Sequence, residues 1–323
     1  MEITPDGTRG FVARGATISV VDLTQTPPVE IDSHSVPDCQ PLALRYYAAP
    51  GQSPRSLFVA GGALGVWRLS LCSNLFNVAT PSACQPSTYA PILVQAPIEF
   101  PNTFLRKRCV DVEVLASHSP PILFALFASS SKHTNPTEVN ELRAYNLGVE
   151  PPALLAACTF TSGTTTDDTE ELATSLAVDP ADSDSIYVGL GKGGIYRADL
   201  ASTGGGGWNL TPSASPVWSP ADCVGVWGAG EPEHVRDLAI VSVPTTPAVS
   251  VLYAALNYSE VLEITDLGPN QSCARTKLQD AAGTNAGFVE QLAVNVLAGP
   301  GHASPCSPTR CPGRMTTRSV PTT

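Results

Sequence analysis

The sequence predicts an all-β fold built from a repeated four-stranded antiparallel unit. Apolar hairpins recur along the chain, and each ends on a leucine, at Leu23, Leu71, Leu147, Leu200 and Leu267. These leucines are 48, 76, 53 and 67 residues apart, which indicates a unit of about fifty residues with insertions in two of the gaps. Another apolar strand precedes every hairpin except the first, and a weaker strand follows, as at 154–160. Four strands per repeat are typical of a β-propeller blade.

The five hairpins have a common pattern of an apolar strand with small residues, a turn and a second apolar strand. They occupy 11–23, 57–71, 123–147, 186–200 and 252–267. Because Ile186 to Gly189 is apolar on both faces, such a strand belongs between packed sheets. Small residues such as Gly189 would let neighbouring sheets approach closely. One unit cannot bury both faces alone, so the units must stack, and the lack of sustained helical periodicity excludes a βαβ fold.

The five recognisable blades are followed by a partial sixth. Residues 287–296 resemble an innermost strand, but no hairpin follows them. Either this strand pairs with the first hairpin and closes the ring, or the ring is incomplete. We therefore expect a propeller over 1–300 and a disordered Ser/Pro/Thr-rich tail over 301–323. A truncated gene product without independent activity is a further possibility.

Composition and charge exclude several classes of protein. Hydrophobic residues make up 43% of the 323 residues and charged residues 15%, which does not fit a disordered polyelectrolyte. The net charge of −11 does not suit a nucleic-acid partner. No run of 18 apolar residues is present, so we expect no membrane span.

The cysteines suggest an oxidising compartment. The chain has nine, with no CxxC motif and no Cys/His spacing for zinc. Structural disulfides are our preferred interpretation, with Cys72 and Cys84 as the first candidate pair, and scattered buried thiols are the alternative. We expect an extracellular or cell-envelope protein whose export signal would lie upstream of Met1.

Two stretches carry a resemblance to known propeller families. Leu176 to Gly189, followed by Gly193 to Arg197, resembles blades of degenerate Asp-box (BNR-like) propellers. Thr4 to Ala13, followed by Ile18 to Leu23, is similar to the YVTN class of bacterial surface propellers. The resemblance implies the propeller fold and little chemistry.

Charged residues recur at, or just before, the start of the predicted innermost strands. They are Asp111, Glu171, Arg236, Asp237 and Glu290. Entries to these strands crowd around the central channel of a propeller, where ligands commonly bind. The carboxylates could bind a hard cation such as Ca²⁺ or a polyhydroxylated ligand. The alternative is a water-filled channel whose carboxylates keep the rim soluble.

Several other motifs are given structural interpretations. Residues 189–194 satisfy G-x-G-x-x-G, but a strand follows them, so we predict a hairpin turn and no phosphate site. Asp179, Asp182 and Asp184 lack the glycine and glutamate of a calcium loop and are predicted to form a solvated turn. The five histidines are expected in loops or in the tail.

Three tryptophans fall in the Gly/Pro/Ser-rich connection 201–233. Trp208, Trp218 and Trp227 could stack on sugar rings or anchor a partner. Filling the gap between blades is the alternative.

These observations favour a monomeric, non-catalytic binding or scaffolding propeller without a required cofactor. Its ligand would be a protein or a carbohydrate, bound on the loop face that carries the insertions 84–108 and 201–233. The alternative is a lactonase-like or glycoside-hydrolase-like enzyme that uses carboxylates at the channel mouth.

Overall fold

The fold is described by a computed structural model of residues 1–36, 41–48, 55–62, 65–71, 89–93, 108–128, 140–160, 172–180, 182–191, 194–218, 234–243, 249–256, 260–265 and 272–277. These residues form twenty strands and no helix, so the described ranges contain no helical segment that could cross a membrane.

The strands form five antiparallel sheets of four strands, each sheet built from four consecutive strands. The first sheet contains β1 (Glu2–Ile3), β2 (Arg9–Arg14), β3 (Thr17–Asp22) and β4 (Val29–Ser35). The second contains β5 (Ala43–Tyr47), β6 (Arg55–Ala60), β7 (Val66–Leu71) and β8 (Tyr89–Leu93). The third contains β9 (Arg108–Leu115), β10 (Ile122–Ala128), β11 (Asn140–Asn146) and β12 (Ala153–Phe160).

Two more sheets complete the described structure. The fourth contains β13 (Ala173–Val178), β14 (Ser185–Leu190), β15 (Gly194–Gly204) and β16 (Gly207–Pro212). The fifth contains β17 (Val235–Val243), β18 (Val249–Leu256), β19 (Glu260–Thr265) and β20 (Ser272–Lys277). The prediction of an all-β propeller with five four-stranded blades is confirmed. The predicted sixth strand, the tail and the domain limit at 300 lie outside the described residues.

The chain divides into two compact units. The first comprises Met1–Ala173 and Ala201–Thr211, and therefore holds blades 1 to 3. The second comprises Thr174–Leu200 and the described part of Pro212–Thr323, and holds blade 5 and most of blade 4.

In each unit the core lies between neighbouring sheets. The second strands of blades 3 and 4 are the most deeply buried of the described strands, because every residue of β10 and of β14 is buried. In the first unit, Phe11 and Val20 of blade 1 pack with Leu57 and Leu69 of blade 2. In the second unit, residues of blades 4 and 5 form one apolar cluster with Trp218. This is the stacking that strands apolar on both faces require.

Backbone hydrogen bonds join neighbouring blades at equivalent places. In the first unit, the turn after β6 bonds to the start of β9, where the Gly62 and Cys109 amides each donate to the other's carbonyl at 3.1 and 2.9 Å. In the second unit, Val235 N donates to Gly191 O at 3.3 Å. One residue later each innermost strand has a β-bulge, at Val110 and at Arg236. The bulge lets the strand leave the neighbouring blade and enter its own sheet.

The outermost strands of the first three blades also carry bulges. The residues without a partner in the register are Ile31 on β4, Ile92 on β8 and Leu155 on β12. Ile31 is 42% exposed and the nearby Val29 is 47% exposed. Because a bulge bends the strand that carries it, each of these outermost strands is bent at the unpaired residue.

Three sequence-based placements need correction. The segments 84–108 and 201–233 are not wholly loops, because they contain β8 and β16. His34 lies on β4, although all histidines were expected in loops or the tail. Asp179 is 5% exposed and accepts a 2.6 Å hydrogen bond from Ser250 Oγ, so it joins two blades and does not belong to a solvated turn.

Gly189 shows why a small residue is needed on a second strand. A Cβ at this position would lie 2.7 Å from Val235 Cγ1 and 3.0 Å from Ser175 Oγ. Val235 belongs to the innermost strand of the next blade, so the missing side chain permits the close approach of two sheets.

We expect Gly189→Ala to lower the free energy of unfolding by about 1–3 kcal/mol, because the added methyl group overpacks the contact between two blades. Urea denaturation followed by tryptophan fluorescence measures the change. Gly10→Ala is the matched control, because a Cβ there meets Leu23 at an ordinary 3.5 Å. Equal stability of the two variants would contradict the packing argument.

Candidate functional site

Charged side chains occupy one repeat position on the innermost strands of the first unit. Glu2, Arg45 and Glu113 lie opposite Phe11, Phe58 and Phe124, the equivalent residues of the three second strands. The same position in blade 5 is Ala239, opposite Tyr253. Since Asp111 lies two residues before Glu113 on the same strand, we define the inner-strand cluster as Glu2, Arg45, Asp111 and Glu113.

The Arg45 guanidinium joins the two glutamates of the cluster. Its Nε donates to Glu113 Oε2 at 2.6 Å, and its Nη1 donates to Glu2 Oε2 at 3.4 Å. The other oxygen of Glu2, Oε1, accepts a hydrogen bond from Tyr46 N at 3.0 Å. The side chains of Arg45, Glu2 and Glu113 are 28%, 19% and 24% exposed, so the cluster is largely, but not fully, removed from water.

Burial and charge act in opposite directions on these groups. Burial alone would lower the pKa of Arg45, but the carboxylates of Glu113, Asp111 and Glu2 hold it above its ordinary value. Burial raises the pKa of Glu2, and Arg45 offsets only part of that effect. Arg45 therefore stays charged, while Glu2 has a less favourable environment for its charge than water provides.

Asp111 and Asp237 have the same local structure in two blades. Each follows a bulge, and each Oδ1 accepts a hydrogen bond from the next backbone amide, at 2.8 Å from Val112 N and 2.9 Å from Leu238 N. Asp111 is buried and Asp237 is partly buried. Arg236 is the bulge residue of blade 5 and is exposed.

Only part of the predicted channel-mouth set can be placed. Asp111 belongs to the inner-strand cluster, Arg236 and Asp237 lie on β17, and Glu171 and Glu290 lie outside the described residues. The sequence interpretation missed Glu2, Arg45 and Glu113. Aligning the blades by hairpin would have shown these three residues at one repeat position.

Among the described residues, no group of three or more His, Cys, Asp or Glu side chains is arranged so that it could hold a metal ion. In the cluster a guanidinium contacts the two glutamates. Binding of Ca²⁺ stays a prediction.

The tryptophans differ in their surroundings. Trp208, expected in a loop, lies on β16, and its ring packs edge-on against His118 with the centroids 5.0 Å apart. Trp218 is fully buried, and its carbonyl accepts a 2.9 Å hydrogen bond from Ile195 N. It therefore fills the core of the second unit. Trp227 lies outside the described residues.

The candidate disulfide pair Cys72 and Cys84 also lies outside the described residues.

The glycine-rich motif at 189–194 joins two strands. Gly189 pairs with Ile195 across the β14–β15 hairpin, and Gly194 has a φ of 87°. The prediction of a hairpin turn is confirmed, since no helix follows the glycines to bind a phosphate.

Comparison with solved structures supports the fold. The β-propeller domain of Myceliophteria thermophila Cps50 (Swd1) is similar with a TM-score of 0.50 and 9% identity, over 84% of this chain and 71% of that chain. The chain has a β-propeller fold. At this identity the likeness concerns the fold alone.

Two further solved structures are similar at a TM-score of 0.46. One is a functionally unknown protein from Desulfotomaculum acetoxidans, at 11% identity over 85% of this chain and 67% of that chain. The other is Chaetomium thermophilum Sqt1 bound to the N-terminus of the ribosomal protein L10, at 13% identity over 90% of this chain and 65% of that chain. No family model and no curated protein sequence matches the chain.

We expect Arg45→Met to lower the free energy of unfolding by about 2 kcal/mol. The variant keeps an apolar stem but leaves three carboxylates without their cation, and the loss is below that of a fully buried pair because Arg45 is 28% exposed. Urea denaturation measures the effect. The control is Arg68→Met, which removes the ion pair with Glu150, a side chain that is 65% exposed. This substitution should lower the free energy of unfolding by less than about 1 kcal/mol. A larger loss in the control would contradict this ranking.

Proposed function

We propose that this chain is a non-catalytic binding or scaffolding propeller whose ligand is a protein or a carbohydrate. The observation that carries the proposal is that the carboxylates which the structure describes on the innermost strands β9 and β17 are engaged within the fold. Glu113 bonds to Arg45, and Asp111 and Asp237 accept backbone hydrogen bonds. These interactions hold the innermost strands in position.

The enzyme alternative is less well supported. A glycoside hydrolase needs one protonated and one ionised carboxyl group on either side of the scissile bond. In the described cluster the pKa of Glu2 is raised, but Arg45 lies between Glu2 and Glu113 and bonds to both. A lactone-cleaving site that used a metal would need a ligand set, which the described residues do not contain.

The proposed binding elements are the connections 84–108 and 201–233. Stacked blades give a rigid support on which connections can vary in length and sequence without loss of the core. The parts 94–107 and 219–233 lie outside the described residues, and the preceding residues 213–218 are bonded to blade 4, with Val217 N donating to Ile195 O at 2.7 Å.

We further propose an extracellular or cell-envelope location and a monomeric state. The support for the location is the number of cysteines, of which there are nine. Cys109 and Cys158 are buried thiols that form no disulfide, and burial raises the pKa of the Cys158 thiol to about 12, so this thiol is unreactive. Disulfides, including the proposed pair Cys72 and Cys84, would have to form among the remaining cysteines.

A binding and turnover experiment tests the proposal. The purified full chain is screened against a displayed peptide library and a glycan array, and against lactone and glycoside panels. We expect saturable binding of one ligand class and no turnover. Replacing 219–233 by a Gly/Ser segment of equal length should weaken binding at least about tenfold, or roughly 1.4 kcal/mol.

The matched control changes two exposed side chains on a strand that belongs to neither connection. The double substitution Val29→Ser and Ile31→Ser on β4 should leave binding unchanged, because both side chains lie on the outermost strand of blade 1. Turnover of a lactone or glycoside that Asp111→Asn abolishes, together with no ligand in either screen, would instead establish the enzyme alternative.

A further inference from the structure

The innermost strand of blade 1 is short and is held on two sides. β1 contains only Glu2 and Ile3, which pair with Phe11 and Gly10 of β2. Met1 and Ile3, on either side of Glu2 in the chain, are 53% and 44% exposed, so they contribute little apolar burial. On the other side, the Glu2 carboxylate accepts hydrogen bonds from Tyr46 N and from Arg45 on β5. The contact of β1 with blade 2 therefore depends strongly on the state of this carboxylate.

The inner-strand cluster has more negative than positive charge. Glu2, Asp111 and Glu113 act on a single guanidinium, which makes its shorter contact with Glu113, at 2.6 Å, and its longer contact with Glu2, at 3.4 Å. Carboxylates that share one cation in a partly dry site tend to retain a proton. Glu2 has the longer contact with Arg45. It is also the more buried of the two glutamates, since its side chain is 19% exposed and that of Glu113 is 24% exposed.

We propose that Glu2 takes up a proton more readily than an exposed glutamate does and that this proton strengthens the docking of β1 on β5. The contact is then a pH-sensitive element within the first unit. A protonated Glu2 no longer repels Glu113, and its carbonyl oxygen still accepts the hydrogen bond from Tyr46 N.

The direction of the pKa shift of Glu2 agrees with the proposed proton uptake. Burial raises the pKa of Glu2, and repulsion by Glu113 adds to it, whereas Arg45 and the Tyr46 amide lower it. Asp111 acts on Arg45. Of the groups that act on Glu2, Arg45 and Tyr46 lie on β5 and Glu113 lies on β9.

The sign of the pH dependence follows from linkage. When β1 is docked, the pKa of Glu2 is above its ordinary value, and when β1 is undocked, Glu2 is in water and has the ordinary value. The docked form therefore binds the proton more tightly. Docking strengthens as the pH falls through the docked pKa, and it weakens as the pH rises. The gain is about tenfold in the docking constant for each unit of difference between the two pKa values.

Hydrogen exchange of the full chain tests the proposal. Amide protection of the segment from Met1 to Arg14, and of Tyr46, is measured between about pH 5 and about pH 7.5 and corrected for intrinsic exchange. We expect protection to rise severalfold on acidification. Glu2→Gln keeps the shape of the neutral acid, so its protection should be high and independent of pH.

Two further variants make the test specific. Glu113→Gln removes the repulsion, so the transition should move to lower pH. Glu30→Gln alters an exposed carboxylate on β4 outside the cluster and should behave as the wild type. Protection that falls on acidification, or a Glu2→Gln variant with the pH dependence of the wild type, would overturn the proposal.

A direct NMR titration of Glu2 tests the proposal without any variant, and therefore also if a variant does not fold. The carboxyl carbon of Glu2, followed by NMR in the wild-type chain, should titrate above the ordinary glutamate range, and an ordinary or lowered pKa would refute the inference. Because none of these measurements uses a ligand, their failure would leave the proposed binding function untouched.

Discussion

The fold depends on covering strands that are apolar on both faces. The second strands of blades 3 and 4, β10 and β14, have every residue buried, and no single four-stranded sheet can achieve this alone. Each sheet must therefore pack against another. The glycine at position 189 and the backbone bonds between Gly62 and Cys109 follow from that requirement, because both occur where adjacent sheets come closest.

Local patterns in the sequence predict most of this architecture. Alternating and continuous apolar runs mark the hairpins, and the closing leucines mark the repeat. The fourth strand of blade 4 is hard to locate from the sequence because Gly204, Gly205 and Gly206 make the segment resemble a loop, whereas in the structure all three have a positive φ and form the tight turn into β16. The burial of Asp179 cannot be predicted from the local sequence, because its partner, Ser250, is 71 residues away.

The inner-strand cluster was only partly predictable, for a related reason. Asp111 was selected by its position before an apolar strand. Glu2, Arg45 and Glu113 come together only when the blades are aligned by their register, which places each opposite an aromatic residue. Blade 5 has alanine at this position, so the propeller fold does not require charge there.

The bulges in β4, β8 and β12 have a consequence for how the molecule behaves at high concentration. A straight outermost strand would offer a continuous row of amide and carbonyl groups to another copy of the chain. The extra residue in each of these strands interrupts that row, so two molecules cannot join through a regular ladder there. A protein with this many β-strands thereby reduces the risk of forming fibres while keeping its aliphatic outer residues.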